Sequence, residues 1–298
     1  MWIAVCWLRK TEQIRIRERR KMSALPNPKD VMAVIRSVAD NEVMPRFRNL
    51  AEGDISEKGP GDFVTVADEA SEKAFTYSLP KLLSGSLVVG EEAVAKDRSV
   101  LETFKEDNPV WVIDPIDGTY NYKSGRSHFG ILISLVQNGE TQMGFLYDAP
   151  KNECFYAIKG QGAFQESGEK LAFPSKSQAG KTAASDMVIF AGGAQPWHFK
   201  KLNDYVRGII NIRCSLHDTL HFLRGEGDCV LWHKTTPWDQ AGCTLISEEI
   251  GGYVCYLDGQ PYSPVDAPQD KFLLVAASRD QWQLVADAIK DSGLEPPK

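Results

Sequence analysis

The sequence predicts a mixed α and β protein in two packed halves that meet near residues 165–180. Three observations carry that reading. Residues 30–50 place Val31, Val34, Ile35, Val38 and Val43 close to helical period. Residues 130–158 hold three short apolar runs separated by turn residues, and from about residue 180 strand-like and helix-like segments alternate. The halves are expected to span residues 22–170 and 171–298, behind a distinct basic stretch over residues 1–21.

The elements follow in order. The helix over 30–50 has Pro45 near its end, and Gly53, Gly59, Pro60 and Gly61 mark a loop. Phe63-Val64-Thr65-Val66 reads as a short strand leading into a helix over 68–83. Apolar runs at 86–90 and 110–113 stop at acidic residues, as strands ending at a site would. Runs at 130–136, 144–148 and 153–158 form a β-meander through Asn138-Gly139 and Ala149-Pro150. Beyond it, 187–190, 228–232, 253–257 and 272–276 are strand-like, while 196–208, 240–250 and 280–289 are helical. Gly251-Gly252 supplies the left-handed residue that ends the middle helix.

Composition narrows the function classes. The 298 residues, 43% hydrophobic and 25% charged, suffice for a large core and exclude disorder or coiled coil as whole-chain descriptions. No apolar run approaches the roughly 20 residues that span a bilayer. A net charge of −6 argues against bulk nucleic-acid binding and suits clustered metal-binding carboxylates. Neither nucleic acid nor membrane is therefore expected as a partner. Residues 1–21 carry +5 behind a short apolar opening, and Met22-Ser23-Ala24-Leu25-Pro26 looks like a start. The stretch is expected to be an upstream extension or a poorly ordered tail, with a basic membrane or nucleic-acid arm as the alternative. Cys6, Cys154, Cys214, Cys229, Cys243 and Cys255 are scattered, without C-x-x-C spacing, as expected of structural thiols in a reducing cytoplasm.

The chemistry concentrates in Trp111-Val112-Ile113-Asp114-Pro115-Ile116-Asp117-Gly118-Thr119-Tyr120-Asn121-Tyr122. A strand delivers Asp114, Pro115 turns the chain, and Asp117 follows three residues later. Carboxylates so close repel each other unless a cation lies between them or one takes up a proton. Gly118 permits a close backbone approach, and Thr119 stands where a helical turn with outward amides could bind an anion. Together they describe a site for Mg²⁺ and phosphate. Glu91, Asp239, Asp68 and Asp62 are further candidates for the same site. Against this, Asp68 and Asp239 could be helix caps, Asp62 a turn residue, and Glu91-Glu92 a solvated pair.

In these blocks the sequence resembles the inositol monophosphatase family of Mg²⁺-dependent, lithium-sensitive phosphatases, from about residue 30 to residue 290. D-F-V-T-V-A-D, G-E-E, W-V-I-D-P-I-D-G-T-Y-N-Y and W-D-Q-A-G-C-T-L-I-S-E-E-I-G-G occur in the family's order, although Cys243 and Ser247 depart from it. The resemblance implies a layered αβαβα sandwich with the site between its halves. It implies that Glu91, Asp114 and the Ile116 carbonyl hold one Mg²⁺, and that Asp114, Asp117 and Asp239 hold a second. Glu91 would help to hold a third through water. Thr119, bonded to Asp68, would orient the attacking water, and the amides of Gly118 and Thr119 would hold the phosphate. The reaction implied is direct in-line hydrolysis of a small phosphorylated substrate, by an enzyme that could be a homodimer.

The alcohol end of the substrate is less defined. Where inositol-specific members carry a glutamate shortly before the W-D pair, this chain has Trp232, followed by His233 and Lys234. An indole removes an acceptor from a polyol, whereas His233 and Lys234 could meet a second negative charge. Trp232 could equally be a core aromatic. The upstream substrate loop, Arg213-Cys214-Ser215-Leu216-His217-Asp218, also departs from the family's small-residue run. Ser215, Trp232, His233 and Lys234 are therefore the specificity candidates. Nucleotide 3′-phosphatase, fructose bisphosphatase and histidinol-phosphate phosphatase activities stay open beside the inositol one, as does a catalytically silent binder of metal or phosphate.

Overall fold

The computed structural model describes residues 24–174, 181–192, 196–266 and 270–295, so the basic stretch over 1–21 lies outside them. Helix α1, Pro28–Val38, begins where Asn27 accepts a hydrogen bond from the Lys29 amide and Pro28 takes the first turn. It buries Val31, Met32, Ile35 and Val38. Regular α geometry ends earlier than the apolar period suggests, because a π-turn at Ala39–Val43 and a 3₁₀ turn around Pro45 complete the segment. Strands β1, Ile55–Gly59, and β2, Asp62–Thr65, form a hairpin, and helix α2, Val66–Ser78, follows at once.

Six strands make the first sheet, in the order β3-β4-β5-β6-β7-β8. They are β3, Leu87–Gly90; β4, Val110–Asp117; β5, Gly130–Gln137; β6, Glu140–Asp148; β7, Glu153–Ile158; and β8, Gly162–Gln165. β5 to β7 form the expected antiparallel meander, β4 and β8 extend it on either side, and β3 joins parallel to β4. Between β3 and β4 lies a short helix α3, Glu91–Lys96. Every residue of β4 and β5 is buried, which explains near-continuous apolar runs in place of alternation.

The second sheet has the order β10-β9-β11-β13-β12, from β9, Val188–Gly192; β10, Gly208–Ile210; β11, Cys229–Trp232; β12, Tyr253–Tyr256; and β13, Leu273–Ala276. Three packed cores define the layers. α1 and α2 cover one face of the first sheet through Ile35, Phe75, Trp111, Ile133 and Phe145. Its other face meets helices α5, Ser215–Leu223, and α6, Pro237–Glu249, which pack through Leu220 and Ile246 onto Val230 and Val275 of the second sheet. Helix α7, Arg279–Ser292, covers the far face with Val285 and Ile289, beside the 3₁₀ segment Pro196–Asp204. The fold is the αβαβα sandwich.

Two differences from the sequence reading bear on the site. The segment 196–208 is 3₁₀ turns followed by strand β10. The stretch read as a substrate loop is in part helix: α5 starts at Ser215, so Ser215, Leu216, His217 and Asp218 form its first turn. α6 ends as expected, with the amides of Gly251 and Gly252 donating to the carbonyls of Glu248 and Ser247. Its small residues let it ride directly on β6, where a Cβ on Gly144 would lie 2.7 Å from the Gly242 Cα. Gly144→Ala should therefore push α6 off the sheet, lowering stability by roughly 1–3 kcal/mol. A thermal melt indistinguishable from wild type would contradict that packing.

Candidate active site

β4 brings the first two carboxylates together by breaking its own register. Residues three apart in a regular strand point to opposite faces. Here the pairing with β5 slips between Asp114 and Asp117, so both carboxylates reach one point. Asp239, from the first turn of α6, joins them, and ligand oxygens of Asp114, Asp117 and Asp239 all lie within 4.8 Å of one another. Among the described residues this is the one such cluster.

Each carboxylate is held by backbone or hydroxyl donors. The Ser215 and Leu216 amides donate to Asp117 at 3.1 and 2.6 Å, and the Cys214 thiol adds a contact at 3.1 Å. The start of α5 therefore clamps Asp117. The Ile116 amide donates to Asp114 at 3.0 Å, and the Thr236 hydroxyl to Asp239 at 2.8 Å. Gly118 sits at φ +85° with its missing Cβ 2.8 Å from the His128 carbonyl, so no other residue fits this turn into helix α4, Thr119–Lys123. The Thr119 hydroxyl lies 3.2 Å from Asp68 and 3.0 Å from the Ile116 carbonyl. Asp68 also accepts from the amide and hydroxyl of Thr65, the N-cap of α2, so it completes a capping box while its carboxylate meets the Thr119 hydroxyl. Asp239 stands at the third position of α6 and is not its cap: its amide donates to the N-cap residue Thr236.

Glu91 opens α3 at the edge of the same cleft. The Lys58 ammonium lies 2.7 Å from Glu91 and 2.9 Å from Glu92, and 3.6 Å from the exposed Asp62. The sequence reading passed over Lys58, whose signal was its place four residues before Asp62. It also passed over Glu72, which accepts from the amides of Glu92 and Ala93 and so fixes the turn carrying Glu91.

The electrostatics are those of a cation site. Burial, then Glu91, Asp117 and Asp239, push the Asp114 carboxyl well up. Burial also pushes Asp117 to about 6 against its three donors, and Asp239 to about 6 with Asp117 adding repulsion. Asp68 rises to about 7, again chiefly through burial. Clustered hard carboxylate oxygens are the kind of donor that Mg²⁺ prefers, and Asp114, Asp117 and Asp239 could hold such an ion. The raised groups bind protons in the folded chain that the unfolded chain has lost, so their contribution to stability is complete below about pH 4 and disappears as pH rises to about 7. His217 and His233, both held near 4 by burial, give the opposite slope. The Mg²⁺-induced change in melting temperature therefore isolates the site. It should reach roughly 5 °C at pH 8 with Mg²⁺ a hundredfold above its Kd, and be smaller at pH 5. Equal shifts at both pH values would contradict this electrostatic account.

The remaining candidates divide. Ser215 and Lys234 border the cleft of 470 Å³ that also holds Glu91, Asp117, Gly118, Thr119 and Asp239. Trp232 and His233 are not among its lining residues. Trp232 is fully buried in the core between the sheets, beneath Gly192, where a Cβ would lie 3.1 Å from its Cδ1. His233 is buried against His198 and Phe272. The structure thus places these two behind the cleft wall.

This layered fold with its carboxylate cluster agrees with a match to the inositol monophosphatase family over residues 29–293. The chain belongs to that family. It is 28% identical to an inositol-1-monophosphatase of Bacillus subtilis over 217 residues, covering 70% of this chain and 77% of the relative. It is 29% identical to the Nus factor SuhB of Pasteurella multocida over 205 residues, covering 68% and 74%. A solved IMPase/NADP phosphatase superposes with a TM-score of 0.73 at 20% identity, covering 90% of this chain and 97% of that one. Members of the family are metal-dependent phosphatases that hydrolyse phosphate monoesters, and this chain is an enzyme of that class. No helix among the described residues is long and apolar enough to cross a membrane.

Proposed function

We propose that the chain hydrolyses a small phosphate monoester by direct in-line attack of water, with Mg²⁺ as its cofactor. The observation that carries this reading is the convergence of Asp114, Asp117 and Asp239 beside the Thr119–Asp68 pair. Glu91, Asp114, Asp117, Asp239 and the Ile116 carbonyl are the residues that would hold the metal. When bound, Mg²⁺ supplies an activated water and neutralises phosphate and leaving-oxygen charge.

The chain's own residues do the rest. Thr119 and Asp68 orient the water, and Asp68, pushed to about 7, is suited to take up its proton through the threonine hydroxyl. Gly118 and Thr119, at the start of α4, line the same cleft, and their amides would hold the phosphate oxygens. Mg²⁺ and phosphate appear together in a solved structure of similar fold, which supports the assignment. The likeness to a Nus factor supports a second reading, a protein acting through contacts with other proteins. The phosphatase reading is favoured because such a role has no need of the Thr119–Asp68 pair. Phosphate release from a panel of monoesters, with and without Mg²⁺, tests it: Mg²⁺-dependent release from at least one member is expected, and Mg²⁺ binding without any release would favour the second reading.

A further inference from the structure

Glu91 opens helix α3, yet nothing local holds that turn in place. α3 has six residues, well short of the roughly 12 at which a helix begins to hold itself in water. Its N-cap is Gly90, which has no side chain to accept from the first amides. The amides that a capping side chain takes are the second and third of the helix, here those of Glu92 and Ala93. Both donate to Glu72, whose two carboxylate oxygens each lie 2.8 Å from one of these nitrogens. Glu72 therefore caps α3 from a different helix.

The fit is close. Glu72 is 8% exposed, and a Cβ on Gly90 would lie 2.3 Å from its Cδ and Oε2, so any side chain at position 90 would displace the carboxylate. Burying a carboxylate beside the buried Glu92 is costly, and two amides at the positive end of a helix are what offset it.

The position of Glu72 on α2 gives the cap its consequence. Asp68 and Glu72 stand four residues apart on the buried face of that helix. β3 and β4 are parallel neighbours, with Gly90 opposite Ile113, so the turns that follow them lie side by side. Asp68 meets Thr119 beyond β4 at 3.2 Å, and Glu72, one turn along α2, meets the start of α3 beyond β3. One helix face thus supports both the Thr119–Asp68 pair and the turn carrying Glu91. After burial, Glu91 is the largest influence pushing the Asp114 carboxyl up, so this turn faces the carboxylate cluster. We infer that Glu72 is a positioning residue, which forms the Glu91 side of the metal site before any metal arrives. The inference deepens the proposed function and rests on its assignment of Glu91 to the metal.

The test uses the full chain at pH 8, as wild type, Glu72→Gln and Ser71→Ala. Glutamine keeps one acceptor oxygen and turns an NH₂ group toward the second amide. Ser71 lies on the same buried face of α2 and its hydroxyl has no hydrogen-bond partner, so alanine there controls for a loosened helix. Calorimetric titration should find Mg²⁺ affinity lowered roughly tenfold or more in Glu72→Gln and within about twofold of wild type in Ser71→Ala. Hydrogen exchange of the metal-free wild type, read by NMR, should find the Glu92 and Ala93 amides protected by roughly 10²-fold or more. That measurement needs no variant, so it decides even where Glu72→Gln fails to fold. Amides left unprotected until Mg²⁺ is added would overturn the inference, because the metal would then build the turn. Wild-type Mg²⁺ affinity in Glu72→Gln, or an equal loss in Ser71→Ala, would overturn it too and leave the proposed function standing. A wild type that binds no Mg²⁺ would overturn both together.

Discussion

Asp239→Asn should lower turnover by roughly 10³-fold while the metal-free protein melts at or slightly above the wild-type temperature. The first part follows from the removal of a charged oxygen donor that hard cations require, one of three within 4.8 Å. The second follows from its surroundings. The Asp239 side chain accepts from the Thr236 hydroxyl and shares a hydrogen bond with Asp114, both of which an asparagine can keep, and the substitution removes charge repulsion with Asp117 and Asp114. Asp117→Asn is a less clean probe. Asp117 accepts from two amides and a thiol, so an asparagine NH₂ must face at least one donor. Leaving such a buried donor unsatisfied costs roughly 1–3 kcal/mol. The clamp from α5 therefore makes Asp117→Asn a change that should lower stability as well as turnover. Steady-state kinetics with parallel melting curves check both variants. An active Asp239→Asn enzyme with wild-type Mg²⁺ dependence would contradict the metal assignment.

Thr119→Ala should cost about 10²- to 10⁴-fold in turnover, the range for losing a positioned proton-transfer group, with Mg²⁺ affinity changed little. The hydroxyl lies between Asp68 and the Ile116 carbonyl, so its loss leaves Asp68 held by Thr65 but without a path to the water. Thr119→Ser keeps the hydroxyl and should recover most of the activity. If Thr119→Ala instead abolishes Mg²⁺ binding, its bond to the Ile116 carbonyl serves to shape the metal site, and the water-positioning role fails.

Much of this site was legible in the sequence because the strands that carry it are interrupted by their own chemistry. The apolar run of β4 ends at Asp114, and the Asp-Pro-Ile-Asp-Gly order announces a broken strand and a turn. Asp68 and Asp239 could be read as helix caps, but the caps are Thr65 and Thr236; each aspartate stands at the third position of its helix, where Asp68 completes a capping box and also meets the Thr119 hydroxyl. α5 escaped detection for a physical reason. Of its nine residues eight are buried, on a helix wedged between two sheets, so no polar face reveals its period. Lys58 and Glu72 escaped because their roles depend on partners distant in sequence. The substitution at Trp232 was conspicuous in the sequence, and its burial beneath Gly192 shows that a conspicuous position can act on the core and leave the cleft lining to its neighbours.

The central claim is metal-dependent hydrolysis at the Asp114–Asp117–Asp239 cluster. The most direct measurement is phosphate release by the purified chain from inositol 1-phosphate, glycerol 2-phosphate, histidinol phosphate, fructose 1,6-bisphosphate and adenosine 3′,5′-bisphosphate, before and after chelation of divalent ions. The account predicts release from at least one ester, lost on chelation, restored by Mg²⁺, and absent in Asp239→Asn. Release that persists after chelation, or that survives in Asp239→Asn, would contradict it.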